Sequence, residues 1–130
     1  DYGKAYGTTQ YLSAKIKFNN AGTADTNTTL YALSKYTTGS SGYSKVFYNM
    51  MQMMGIECYV QVGQITNSKG TTEYHVWNRV VIDNKSYYVD VALTNRDKTT
   101  QYIMADYKTF FKNHVLTEEL DTTGTDVLWE

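Results

Sequence analysis

The chain has 130 residues, 42% of them hydrophobic, which is enough for one core and too few for two comfortable ones, so a single domain over residues 1–130 is expected. Its 12 basic and 13 acidic residues leave a formal net charge of -1 with no run of one sign, no electrostatic footprint for nucleic acid or a lipid surface. One cysteine excludes an internal disulfide and falls short of a zinc site, so neither a metal nor a cofactor is expected.

No stretch reaches the roughly eighteen consecutive apolar residues of a membrane span, and no secretory h-region stands among the first thirty. No membrane-spanning segment is expected. Aromatic content of 15%, with 13 Tyr, many Thr and Asn and only 19% charged residues, resembles secreted or surface-displayed domains, and the expected location is extracellular or at the cell surface. The chain has no proline, so Gly, Asn and Asp must make its turns.

In chain order, the Thr/Asn/Gly-rich stretch from Asn19 to Thr29 reads as a long loop, and LYALSKY after it as a short helix. GSSGYSK, Gly39 to Lys45, opens a second helix. Its apolar residues Val46, Phe47, Met50, Met51 and Met54 recur at steps of three and four, which places them on one stripe. Gly55 stands at the C′ position, where the left-handed conformation is cheap, and the five methionines are expected to fill core. Beyond it the period becomes two, with Ile56, Cys58, Val60 and Val62 in phase. Cys58 is therefore expected to be a small buried hydrophobe and not a displaced nucleophile.

Asn67 to Gly70 is a turn signal, Tyr74 to Ile82 a second strand, Asp83-Asn84 a two-residue turn and Lys85 to Val91 a third strand. Ala105 to His114 is expected to form a short helix, with His114 at the surface or at the helix end; the tail from Thr117 carries no strong pattern. A helix followed by a meander of short connections predicts an α+β fold, a core helix packed on an antiparallel β-sheet.

Three chemically capable residues lie in separate elements: Ser40 at the helix opening, His75 on the second strand, Asp90 on the third. With Asp83-Asn84 as the turn, facing residues sum to 167, which sets Asp90 opposite Trp77 and diagonal to His75 on one face. Diagonal neighbours stand about 7 to 8 Å apart at the backbone, a gap that two side chains can close. A helix opening carries unpaired N–H groups and a partial positive charge, which stabilises an anionic nucleophile or oxyanion. Such a site can lower a thiol pKa from about 8.5 to roughly 3.5–7.5. A serine hydroxyl gains far less and must lose its proton to His75 during attack. Taken singly, Ser40 reads as a helix cap, His75 as a satisfied half-buried histidine and Asp90 as a strand-end carboxylate.

The segments GSSGYSKVFYNMMQMMGIECYVQVG, EYHVWNRVVIDNKSYYVDVAL and YIMADYKTFFKNH together resemble the bacterial transglutaminase-like domains of the papain-related superfamily. Gly42-Tyr43-Ser44 is similar to the family's Gly-Tyr-Ala loop, His75-Val76-Trp77-Asn78 to its base-bearing strand and Tyr87-Tyr88-Val89-Asp90 to its carboxylate strand, over a core of about residues 25–114. Asp106 and His114 match a late Asp and His, with no chemistry assigned. The resemblance implies a papain/transglutaminase-like fold and thiol attack on peptide or Gln-type amides, with acyl transfer to water or an amine. It places Ser40 where the family has its nucleophilic cysteine, His75 as base and acid, and Asp90 as the group that fixes the imidazole tautomer.

The Ser for Cys departure is read as a natural substitution in preference to an engineered one, giving a pseudoenzyme or weakened enzyme. The catalytic expectation is thus Ser40, His75 and Asp90, with Trp77 and Tyr43 as the side chains for a substrate surface and a peptide, protein or cell-wall component as partner. The rival expectation is a non-catalytic peptide- or glycan-binding module of a larger extracellular or cell-envelope protein. A working Ser-His-Asp hydrolase ranks third.

Overall fold

The helix opened by GSSGYSK packs against the two central strands and three other helices. It is α3 of a chain whose helices are α1 (Tyr2–Lys15), α2 (Thr29–Lys35), α3 (Ser40–Met53), α4 (Val91–Asp97) and α5 (Tyr107–Phe110). Its strands are β1 (Lys17–Phe18), β2 (Thr37–Thr38), β3 (Glu57–Thr66), β4 (Thr72–Ile82), β5 (Lys85–Val89) and β6 (His114–Glu119). A computed structural model describes residues 1–19 and 29–120. The expected Asn19–Thr29 loop lies outside the described residues except for its two ends.

Helix α3 buries Gly42, Tyr43, Val46, Phe47 and Met51, the stripe that its three-and-four spacing dictates. Its end is a Schellman motif: Gly55 adopts φ 71°, its N–H bonds the Gln52 carbonyl at 3.1 Å, and the Ile56 N–H bonds that of Met51 at 2.9 Å. Core filling by methionine is narrower than expected. Met51 and Met104 are buried and Met50 partly so, but Met53 is 86% exposed and Met54 is exposed too, because residue 53 falls on the far side of the helix and residue 54 is its C-cap.

The main sheet has the order β5-β4-β3-β6 and is antiparallel throughout. Asp83 and Asn84 take φ of 53° and 62°, the left-handed pair of a type I′ turn, so Ile82 faces Lys85 and Asn78 faces Val89, the expected register. The Asn67 carboxamide oxygen accepts from the N–H groups of Lys69 and Thr71 and closes the β3–β4 turn. Alternation along β4 then gives the sheet two working faces. Val76 and Val80 join the cluster of Val46, Phe47, Met51, Cys58 and Val60 beneath α3. Trp77 joins a second cluster with Tyr88, Leu93, Tyr102 and Phe110 on the other side.

Several elements differ from expectation. Helix α1 escapes an apolar-pattern reading because its buried positions, Ala5, Thr9 and Leu12, include a threonine whose hydroxyl bonds back to the Ala5 carbonyl at 2.9 Å. The third strand ends at Val89, and Val91 begins α4 with Asp90 as its N-cap. The helix expected over Ala105–His114 shrinks to α5, and the patternless tail begins as β6. After His114 the β6 residues are exposed, so no alternation marks it as a strand.

The short parallel pair β1–β2 leads the chain into Gly39 and Ser40. Asn95 of α4 pins this region: its amide donates to the Ser13 carbonyl at 2.7 Å, and its oxygen accepts from the Phe18 N–H at 3.0 Å. Gly63, opposite His75 in the β3–β4 ladder and beside an irregularity in the β3–β6 register, lies where three elements close. A Cβ there would stand 1.9 Å from the Val115 carbonyl oxygen and 2.8 Å from the Trp77 ring. Because the nearest obstacle is backbone, Gly63→Ala is expected to force β6 off β3 and to cost about 3 kcal/mol, read from urea unfolding followed by tryptophan fluorescence.

Candidate active site

Asp90 takes its position from local sequence. As the N-cap of α4 its Oδ1 accepts from the Leu93 N–H at 3.0 Å, and its own N–H donates to the Tyr102 carbonyl at 3.0 Å. The β4–β5 hairpin brings it to His75, whose Nε2 lies 3.0 Å from Oδ1 and 2.9 Å from Oδ2. The diagonal pairing expected from the register is thus present. A carboxylate facing Nε2 makes that nitrogen the donor and leaves Nδ1 with a free lone pair. His75 Nδ1 is buried and has no hydrogen-bond partner among the described residues.

A third group completes the cluster. The Nε2 of His114, at the start of β6, lies 2.8 Å from Asp90 Oδ2, and its Nδ1 lies 2.9 Å from both the Phe110 carbonyl oxygen and Asn113 Oδ1. His114 is fully buried, which corrects the expected surface or helix-end location. The reason is the shortening of the preceding helix. Asp106 caps α5 by accepting from the Thr109 N–H at 2.7 Å, the helix stops after one turn, and β6 then carries His114 under the sheet against Phe110 and Trp77.

Ser40 begins α3 behind the N-cap Gly39 and is buried. Its Oγ accepts from the Val76 N–H at 3.2 Å, so it meets β4 at the residue next to His75. The hydroxyl expected to bond the imidazole is not hydrogen-bonded to it, since Nδ1 is unpartnered. Alternation along β4 accounts for this. Val76 and Asn78 face α3, where the Asn78 amide donates to the Ser44 carbonyl at 3.2 Å, whereas His75 is on the side of Trp77 and His114. The Phe18 ring closes over the region, 6.3 Å from both His75 and Tyr43 between centroids.

Trp77 and Tyr43, expected at a substrate surface, are instead interior. Trp77 is fully buried and its Nε1–H donates to Gln61 at 2.8 Å; Tyr43 is buried, with its hydroxyl donating to the Ile16 carbonyl. Cys58 is buried as expected, and burial pushes its thiol far above the ordinary range despite hydrogen bonds with Asn78 and Tyr59. Among the described residues no three His, Cys, Asp or Glu side chains are arranged to hold a metal, and no helix is long and apolar enough to cross a membrane.

Burial by itself would raise the Asp90 carboxyl. Electrostatic attraction from His75 and the hydrogen bonds from His114 and His75 outweigh burial and hold it well below the ordinary range. A carboxyl with a depressed folded value stabilises the fold above its unfolded value of about 3.9, and that contribution is lost as pH falls below it. Asp90→Asn is expected to cost about 3 kcal/mol at neutral pH, since it leaves buried donors badly matched, and to remove part of the stability decline below about pH 4. Urea unfolding of both chains across that pH range measures each effect.

The architecture has relatives among known proteins. One solved structure, described as "Crystal structure of a TGase", is 20% identical over 68% of this chain and 25% of its own, with a TM-score of 0.55. Another, described as "a Putative Cysteine Protease from Cytophaga hutchinsonii", is 12% identical over 96% of this chain and 47% of its own, with a TM-score of 0.63. The chain thus spans about a quarter and about half of these two relatives, and at such identities the likeness is one of fold. No curated protein matches it. The family profile described as "Transglutaminase-like superfamily" matches residues 1–91. With that match over most of its length, an α+β fold shared with a transglutaminase and a cysteine protease, and the three ordered motifs above, the chain belongs to the transglutaminase-like superfamily.

Proposed function

We propose that this domain carries a cysteine-peptidase-type acyl-transfer site in which Ser40 stands in the nucleophile position, His75 is the base and Asp90 orients it, with activity on peptide or Gln-type amides that is weak or lost. The observation that carries this reading is the buried Nδ1 of His75, which has no hydrogen-bond partner among the described residues. A buried nitrogen without a partner is costly to a fold and calls for an explanation, which a lone pair reserved for a proton supplies. The opposite nitrogen is fixed by Asp90, which sets the tautomer whose lone pair is free.

In the scheme this supports, Ser40 Oγ attacks the amide carbonyl as His75 Nδ1 takes its proton. The tetrahedral oxyanion forms beside the α3 N-terminus, where the Ser40 N–H is a donor. His75 returns the proton to the leaving amine, and water or a second amine then releases the acyl group. The weakness follows from the nucleophile. A hydroxyl is far more basic than a thiol, a helix terminus does not ionise it, and the Ser40 Oγ here accepts from Val76 with no hydrogen bond to His75.

That same feature favours a second reading, in which the domain is a non-catalytic module that holds a peptide or glycan. Extracellular or cell-surface location, and a peptide, protein or cell-wall component as partner, belong to the proposal and rest on the Tyr-, Thr- and Asn-rich composition.

In Ser40→Cys the introduced thiol is expected to alkylate with iodoacetamide at least about tenfold faster than the buried Cys58 near neutral pH, and His75→Ala in that background to abolish the difference. Hydrolysis of an activated amide should rise in the same variant. Equal, slow labelling of the two thiols would remove the nucleophile assignment; labelling of the unsubstituted chain at Ser40 by a fluorophosphonate would replace the proposal with a working serine hydrolase.

A further inference from the structure

The chain has two histidines, and both reach one buried carboxylate. Among the described residues, every hydrogen-bonding neighbour of His114 is an oxygen: Asp90 Oδ2 at Nε2, and the Phe110 carbonyl and Asn113 Oδ1 at Nδ1. A neutral imidazole has one N–H and one lone pair, so it would direct a lone pair at an acceptor. The Asn113 amide can turn to relieve this, because the Tyr102 hydroxyl at its other end, 2.8 Å away, donates as readily as it accepts. The Phe110 carbonyl cannot turn. It belongs to the backbone of α5, directly above the residue it bonds.

A second observation points the same way. The His114 ring stacks on Phe110 with centroids 3.8 Å apart and planes 23° apart, and Trp77 meets it at 4.9 Å. The stacked Phe110 face at that distance favours a cation. The titratable groups that face His114 are Asp90 from the N-cap of α4, His75 from β4 and Tyr102 from the segment between α4 and α5.

We propose that His114 is held as a doubly protonated imidazolium at neutral pH, anchored by Nδ1–H on the Phe110 carbonyl and by Nε2–H on Asp90, and that it is a positioning residue for His75. Asp90 and His114 then cancel in charge. His75 is left neutral, with its proton on Nε2 toward Asp90 and its lone pair on Nδ1. Without the imidazolium, an unopposed buried carboxylate draws a second proton onto His75, which can then accept none from Ser40. The protonation pattern stands independently of catalysis; its use for proton transfer rests on the proposed function.

Nitrogen-15 NMR of histidine-labelled protein at pH 7 counts the protons directly. The four ring nitrogens are expected to divide into three protonated and one unprotonated, the last being Nδ1 of His75. One unprotonated nitrogen on each ring would overturn the proposal. In His114→Gln, which keeps an N–H for Asp90 without the charge, the His75 Nδ1 lone-pair signal is expected to be lost as that nitrogen gains a proton; a folded variant with an unchanged His75 spectrum would overturn the positioning role. If that variant does not fold, the count in the unsubstituted chain decides. An unreactive thiol in Ser40→Cys would end the acyl-transfer reading while leaving three protonated nitrogens in place, so the two ideas fail separately.

Discussion

The carboxylate of Asp90 has no solvent exposure, and an ionised carboxylate in that setting is tolerable only when donors surround it. The chain delivers them from three places. Leu93 comes from the turn of helix that Asp90 caps, His75 from the neighbouring strand, and His114 from the opposite edge of the sheet. The β4–β5 hairpin, α4 and β6 cannot separate without leaving that charge unmatched. The requirement that positions the candidate base therefore also closes the C-terminal half of the fold.

Strand β4 serves two layers at once. Its even positions face α3, through Val76, Val80 and the bond from Asn78 to the Ser44 carbonyl. Its odd positions, His75 and Trp77, face the Asp90–His114 cluster and the aromatic group around Phe110. The Ser40 hydroxyl bonds the strand at the Val76 N–H, the border between the layers. Gly63 stands across from His75 because nothing larger fits between Trp77 and the β6 backbone. The segment His-Val-Trp-Asn is thus a unit in which alternate residues bind alternate layers, and the pleat of a strand makes that division.

Some of this is legible in the chain and some is not. The α3 stripe, its Gly55 end, the type I′ turn and the His75–Asp90 diagonal follow from patterns within about fifteen residues, where backbone conformation and pairing register leave few alternatives. His114 is different. It lies 24 positions from Asp90 beyond a four-residue helix, on a strand whose later residues are exposed and carry no alternation. A signal for it is present in the Asp106, Phe110, His114 spacing, in which Asp caps, Phe stacks and His bonds, but that spacing by itself also fits an ordinary amphipathic helix. Trp77 and Tyr43, expected at a substrate surface, carry no record along the chain of their burial, which depends on what the N-terminal segment and β6 place over them.

By itself the sequence determined the α3 helix with its Gly55 end, the hairpin register and, through its ordered motifs, the family, since each depends on neighbours close along the chain. The tertiary structure decided that one carboxylate is shared by two imidazoles, that the Ser40 hydroxyl bonds a backbone N–H, and that the expected substrate aromatics are interior. These depend on how layers close over one another. A buried charge and its donors are matched across distances at which residue type along the chain carries no record of direction.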